Sequence, residues 1–222
     1  MSKILVVNPN STRIVTEQIN IALECFRSPK GPEIICESLP SGPPGIESQA
    51  HVDGISEKMI SWLNENPRLK EVDALVLACF SDPGLFALRE VLSVPVIGCA
   101  ESAYHTASAL GEKFGVISIL SRAIPRHLRQ IKYLGLEHKL AQDIAIEVNV
   151  VNLSDEKLTF QRMLDVGTQL IEEHNAQTII MGCAGMARYR ARLEDQLGVK
   201  VIDPTQAGLS VALSFVLPRM MT

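Results

Sequence analysis

The chain is poor in aromatic residues, 5% with a single tryptophan, and its 25 acids and 21 bases leave a formal charge of only −4. So even a balance offers no basic stripe for a nucleic-acid backbone, and no nucleic-acid partner is expected. A hydrophobic share of 46% is too high for a disordered chain. No run approaches the roughly 20 apolar residues that span a bilayer, so no membrane partner is expected. The apolar run near Met1 is too short for a signal peptide, which points to a soluble, cytoplasmic protein. Cysteine is sparse and unpatterned. Cys25, Cys36, Cys79, Cys99 and Cys183 are odd in number and widely spaced, and no C-x-x-C occurs. A disulfide framework, a zinc ribbon and a thioredoxin-type motif all lose support. Neither G-x-G-x-x-G nor G-x-x-x-x-G-K-S/T is present, which leaves little support for a dinucleotide or P-loop site.

What the chain does have is short β-branched runs alternating with amphipathic ones. Residues 3–8, 33–37, 72–78, 95–98, 114–119, 144–150, 178–181 and 200–202 read as strands. The continuous run Ala74 to Ala78 suggests a strand buried on both faces. Val52, Ile55, Met59, Trp62 and Leu63 form one helical stripe, and Phe160, Met163, Leu164, Leu170 and Ile171 another. Strand alternating with helix predicts an α/β fold with parallel sheets covered by helices.

The chain also repeats itself. Val72 to Cys79 can be laid on Ala176 to Cys183, which places the two cysteines 104 positions apart. Lys3 to Asn8 similarly echoes Lys113 to Ser118. At 222 residues the chain is large for one simple domain and small for two. Two pseudo-symmetric three-layer α/β units with mostly parallel four-stranded sheets resolve this. The expected division gives residues 1–98 and 206–222 to the first unit and 99–205 to the second, with the site in the cleft between them.

Cys79 and Cys183 each end a buried strand and begin a turn, where open parallel sheets bind ligands. After Cys79, Asp82 reads as a helix N-cap and Pro83 as the first helical residue. After Cys183 a helix carrying Arg188, Arg190 and Arg192 is expected. A helix N-terminus facing either thiol would lower its pKa toward neutrality, and its N–H groups would hold an anionic oxygen. Cys25, Cys36 and Cys99 read as packed hydrophobes. Two equivalent thiols across one cleft suit an acid and a base on opposite sides of a carbon next to a carbonyl. With the substrate's own carbonyl as electron sink, no cofactor or metal is needed.

Other polar residues leave alternatives open. Asn10 or Ser11 either caps the first helix or, for the Asn amide, meets a ligand. The loop from Pro40 to Gly45 walls the cleft or is turn chemistry alone. Glu101 and His105 read as a helix-surface pair, and His51, His127, His138 and His174 show no partners.

The segments Asn8-Pro9-Asn10-Ser11-Thr12, Ala78-Cys79-Phe80-Ser81-Asp82-Pro83-Gly84-Leu85 and Gly182-Cys183-Ala184-Gly185-Met186 resemble the signature segments of hydantoin racemases. These belong to the aspartate/glutamate racemase superfamily, and the group includes enzymes acting on allantoin. The likeness covers nearly the whole chain. It implies a cofactor-independent racemase of a small molecule, working as a homo-oligomer, with Cys79 and Cys183 as the paired bases. It also implies substrate contacts at Asn10, Phe80, Ser81, Ser121, Gly182, Ala184 and Gly185. Arylmalonate decarboxylases keep only the cysteine matching Cys183, whereas maleate isomerases keep both and use one as a nucleophile. Ile119-Leu120-Ser121 departs from the Thr-rich turn of the family.

Overall fold

A computed structural model describes residues 2–69 and 71–220, with the side chains of Ser154 and Arg219 excepted. Two four-stranded sheets form, and every strand pair is parallel. The first has the order β2-β1-β3-β4, with β1 Lys3–Asn8, β2 Glu33–Ser38, β3 Ala74–Leu77 and β4 Val96–Gly98. The second repeats that order as β6-β5-β7-β8, with β5 Phe114–Ser118, β6 Leu140–Ala145, β7 Thr178–Met181 and β8 Lys200–Ile202. β3 and β7 are buried at every position, so their sequences, apolar except for Thr178, match strands with protein on both faces.

Helices α1 Arg13–Ala22, α2 Gln49–Asp53, α3 Ile55–Glu65 and α4 Leu85–Val91 lie within the first half of the chain. α5 Cys99–Leu110, α6 Ile124–Tyr133, α7 Glu156–Glu172, α8 Arg190–Leu197 and α9 Pro204–Met220 follow. The chain crosses between the halves twice. α5 leaves β4 and packs against β7 and β8, while α9 leaves β8 and packs against β3 and β4. α5 and α9 also lie against each other. One buried cluster joins Val6, Val15 and Ile19 of the first half to Ile117, Met181 and Met186 of the second. The cleft floor is therefore continuous core, which makes independent movement of the halves costly.

Three local readings are corrected. The strand expected over 144–150 is β6, six residues that end at Ala145. Ile146 and Val148 still donate backbone hydrogen bonds to Ser118 and Ile119. Between them Glu147 takes a left-handed φ of 52°, which breaks the ladder. Cys25 is exposed rather than packed, because α1 stops at Ala22 and a 3₁₀ turn over Glu24–Phe26 carries the thiol outward. The stripe from Val52 to Leu63 is split between α2 and α3 at Gly54.

Among the described residues no helix is long and apolar enough to cross a membrane.

Candidate active site

Cys79 follows β3 and Cys183 follows β7, the equivalent strand of the other sheet. Both line one cleft of about 430 Å³ between the halves. Their surroundings match. The Ser81 amide lies beside the Cys79 sulfur and the Gly185 amide beside the Cys183 sulfur, each two residues downstream, and each favours the thiolate. The close approach of chain segments leaves no room at Gly182. An added Cβ there would stand 2.6 Å from the Ile117 carbonyl oxygen, so glycine lets β5 and the Cys183 turn touch.

The expected helix after Cys79 is displaced. α4 starts only at Leu85, with left-handed Gly84 before it (φ 79°). Asp82 is itself left-handed, at φ 41°, and does not cap its own helix. Its carboxylate turns to α5, where it accepts from the Ala100 amide at 3.0 Å and the Glu101 amide at 2.9 Å. It accepts further from Gln130 Nε2 on α6, at 2.8 Å. Short-range capping preference is satisfied, but by the helix that packs alongside. After Cys183 comes a 3₁₀ turn, Ala184–Tyr189, and then α8. Arg188, Arg190 and Arg192 are used in packing. Arg188 and Arg190 donate to the Leu153 and Val201 carbonyls, and Arg192 lies 3.8 Å over the Phe160 ring.

The expected lowering of the thiol pKa values is also overturned. Burial pushes Cys183 up to about 11 despite the Gly185 amide. Burial raises Cys79 further, with the charge of Cys183 acting in the same direction. A lone thiolate on a half-buried sulfur in this cleft loses more hydration than one amide returns. Behind Cys79, fully buried Cys99 keeps its packing role.

Of the other residues picked from the sequence, Asn10, Phe80, Ser81, Gly182, Ala184 and Gly185 line the cleft. Ser121 does not: it is exposed, its amide donating to Glu147 Oε1. Ile119 and Ala123 stand at the cleft on either side of it. Asn10 Oδ1 accepts from Asn8 Nδ2 and the Thr12 amide, which ties it to the start of α1. The loop after β2 is fastened by Ser11 to Pro43 and Thr12 to Pro44, and Ile46 reaches the cleft. Glu47 then joins the halves through the Val150 amide and Arg122. Glu101 pairs with Arg89.

Two ionisable cleft residues escaped the sequence reading. His127, expected to have no partner, is buried at the cleft wall. Its Nδ1 lies 2.8 Å from Asp143 Oδ2 and 3.1 Å from Ser118 Oγ, and Ser118 donates to Asp143 Oδ1. Its ring stands edge-on to Phe80, centroids 5.0 Å apart. Arg126, one residue before it on α6, also lines the cleft. Its positive charge favours a thiolate at Cys79. Neither has a sequence signature, since their partners come from β5, β6 and the Cys79 turn. Among the described residues no three His, Cys, Asp or Glu side chains gather as metal ligands.

Fold and site define a class: α/β proteins of two like halves, with a cysteine closing the matching strand of each half at a shared cleft. The chain belongs to the Asp/Glu/hydantoin racemase family, whose model matches residues 4–212. It is 35% identical to the hydantoin racemase of Paenarthrobacter aurescens over 216 residues, 96% of this chain and 91% of that protein. The allantoin racemase from Klebsiella pneumoniae superposes with a TM-score of 0.90 at 31% identity, covering 96% of this chain and 87% of that one. That from Pseudomonas fluorescens gives 0.88 at 28% identity, with 99% and 92% covered.

Proposed function

We propose that this protein is a cofactor-independent racemase that inverts C5 of a 5-monosubstituted hydantoin or of allantoin, using Cys79 and Cys183 as the two bases. The observation that carries this reading is the pair of equivalent thiols on one cleft, each with an amide two residues on. One thiolate takes the C5 proton, and the C–H electron pair moves into the adjacent carbonyl to give an enolate. The opposite thiol returns a proton to the other face, and the enolate pair re-forms the C–H bond. The enzyme ends with thiol and thiolate exchanged and the centre inverted. Burial favours the neutral thiols, so the working form is the fraction of enzyme that has lost one thiol proton to solvent before substrate binds. Similarity to hydantoin and allantoin racemases supports this substrate class.

The test is a panel of enantiopure hydantoins, allantoin, aspartate and glutamate, followed by loss of optical rotation. Deuterium from solvent should enter C5 of the substrate that racemises. No loss of rotation and no exchange across the panel would sink the reading.

His127 is assigned as a donor to the enolate oxygen, with Asp143 holding Nδ1 and fixing the ring. His127→Gln is expected to lower kcat by about 100-fold, and Asp143→Asn by about tenfold, with KM within threefold in both. A KM effect with unchanged kcat would contradict that role.

A further inference from the structure

We propose that a second hollow, beside the thiol cleft, is the subsite for the substrate's substituent, and that Arg126 makes it select substituents bearing an acceptor oxygen, a carboxylate or a ureido carbonyl. This rests on the racemase reading above.

The hollow is an open one of about 740 Å³, and Ser81 and Arg126 line both it and the cleft. A ring held at the thiols can therefore direct a group on its reacting carbon into this hollow, which is roomier than the one of about 390 Å³ that adjoins the cleft at Val15, Val150 and Gly185. Leu85 and Phe86 of α4 face Tyr133 at the end of α6 and Leu134 just after it, which gives the walls an apolar character. The Phe86 and Tyr133 rings meet edge-on with centroids 5.5 Å apart.

Arg126 is the anomaly in this setting. It is only 9% exposed, its Nε has no hydrogen-bond partner, and its Nη1 reaches only the Arg122 carbonyl at 3.2 Å. No carboxylate stands within ion-pair distance of it among the described residues. A buried guanidinium without a counter-charge is costly, and burial accordingly pushes its pKa down. Arg129 and Arg122, both positive, add to the cost, which the charges of Cys79 and the more distant Asp53 offset only in part. The acids that line the hollow are already engaged, Asp82 by three donors and Glu101 by Arg89. Arg126 thus has donor capacity that the protein does not use. A planar oxygen group matches its fork, whereas a hydrocarbon substituent would leave it desolvated and unpaired.

The experiment compares wild type with Arg126→Met on hydantoin-5-acetic acid, allantoin and 5-isobutylhydantoin. The loss of kcat/KM for the oxygen-bearing substrates should exceed that for 5-isobutylhydantoin by about 30-fold or more, any loss common to all three reporting the charge that Arg126 lends to Cys79. A loss confined to the carboxylate or to the ureide still supports the subsite and says which oxygen group it takes. Thermal stability should hold or rise, because a buried unpaired charge is removed. An equal loss on all three substrates would overturn the proposal, since Arg126 would then serve Cys79 or the fold. So would the absence of any loss. Calorimetric titration with hydantoin-5-acetic acid separates the two readings. If wild type racemises nothing yet binds this compound in an Arg126-dependent way, the subsite stands and the racemase reading falls. No Arg126-dependent binding overturns the subsite itself.

Discussion

Cys79→Ala and Cys183→Ala should each abolish racemisation of an enantiopure hydantoin, lowering kcat/KM by about 10,000-fold. The size of the effect follows from the geometry. Each thiol serves one face of the reacting carbon, and among the described residues that line the cleft no other acid or base is matched at the equivalent place of the other half. Either single variant keeps one base, so it should still exchange the C5 proton of one enantiomer in deuterated water. The two variants should differ in which enantiomer exchanges. Raised thiol pKa values add a second signature. With Cys183 at about 11 and Cys79 higher still, few free enzyme molecules carry a thiolate at pH 7. Because kcat/KM reports the free enzyme's ionisations, it should climb between pH 7 and pH 9. Unchanged racemisation in both alanine variants would sink the two-thiol mechanism.

Asp82→Ala should cost about 3 kcal/mol of stability, read as a lower urea midpoint at pH 7. Its carboxylate joins the Cys79 turn, the start of α5 and Gln130 of α6, so truncation strands two buried amides and one side-chain donor. Gly98 is shaped to this contact, since an added Cβ would collide with the Asp82 carboxylate. Burial pushes Asp82 up to about 7 and Asp203 to about 6, both above the ordinary carboxylate value of 3.8. Between pH 4 and those values the folded chain holds protons that the unfolded chain has released. Stability from these groups is therefore complete at low pH and lost as pH rises through 6 and 7. The urea midpoint should be higher at pH 5 than at pH 8, and Asp82→Asn should flatten the difference. A midpoint that climbs across that range would contradict the burial of these carboxylates.

Much of the fold was legible because parallel strands covered on both faces must be apolar along their whole length. The run from Ala74 to Leu77 and its echo from Thr178 to Met181, apolar except for Thr178, show this, and a cysteine stands two residues past the end of each. The misplaced strand at 144–150 has a matching cause. Ile146 and Val148 are buried and bonded as a strand would be, and only the backbone turn at Glu147 removes them from the ladder. Backbone angles of that kind leave no mark in hydrophobic pattern.

The candidate site divides in the same way. Asn10, Phe80, Ser81 and the glycines of the Cys183 turn are neighbours of the two cysteines or close the adjacent strand, so strand ends brought them together. Ser121, implied only by the family resemblance, is exposed, while Ile119 and Ala123 line the cleft. Asp82 was recognised as a cap without its true helix, because capping chemistry is local while the choice of partner is a packing event. His127, Asp143 and Ser118 come from three elements and carry no spacing rule. Arg126 looks like any arginine on an amphipathic helix until burial and the lack of a counter-charge single it out.

By itself, then, the sequence determined the two like halves and the equivalence of Cys79 and Cys183, since burial along a strand is written residue by residue. Only the tertiary structure decided the rest: that burial raises rather than lowers the thiol pKa values, that Asp82 holds a neighbouring helix, and that His127 and Arg126 wall the cleft. Each of these depends on desolvation or on contacts between segments distant in the chain, and neither has a local period to read.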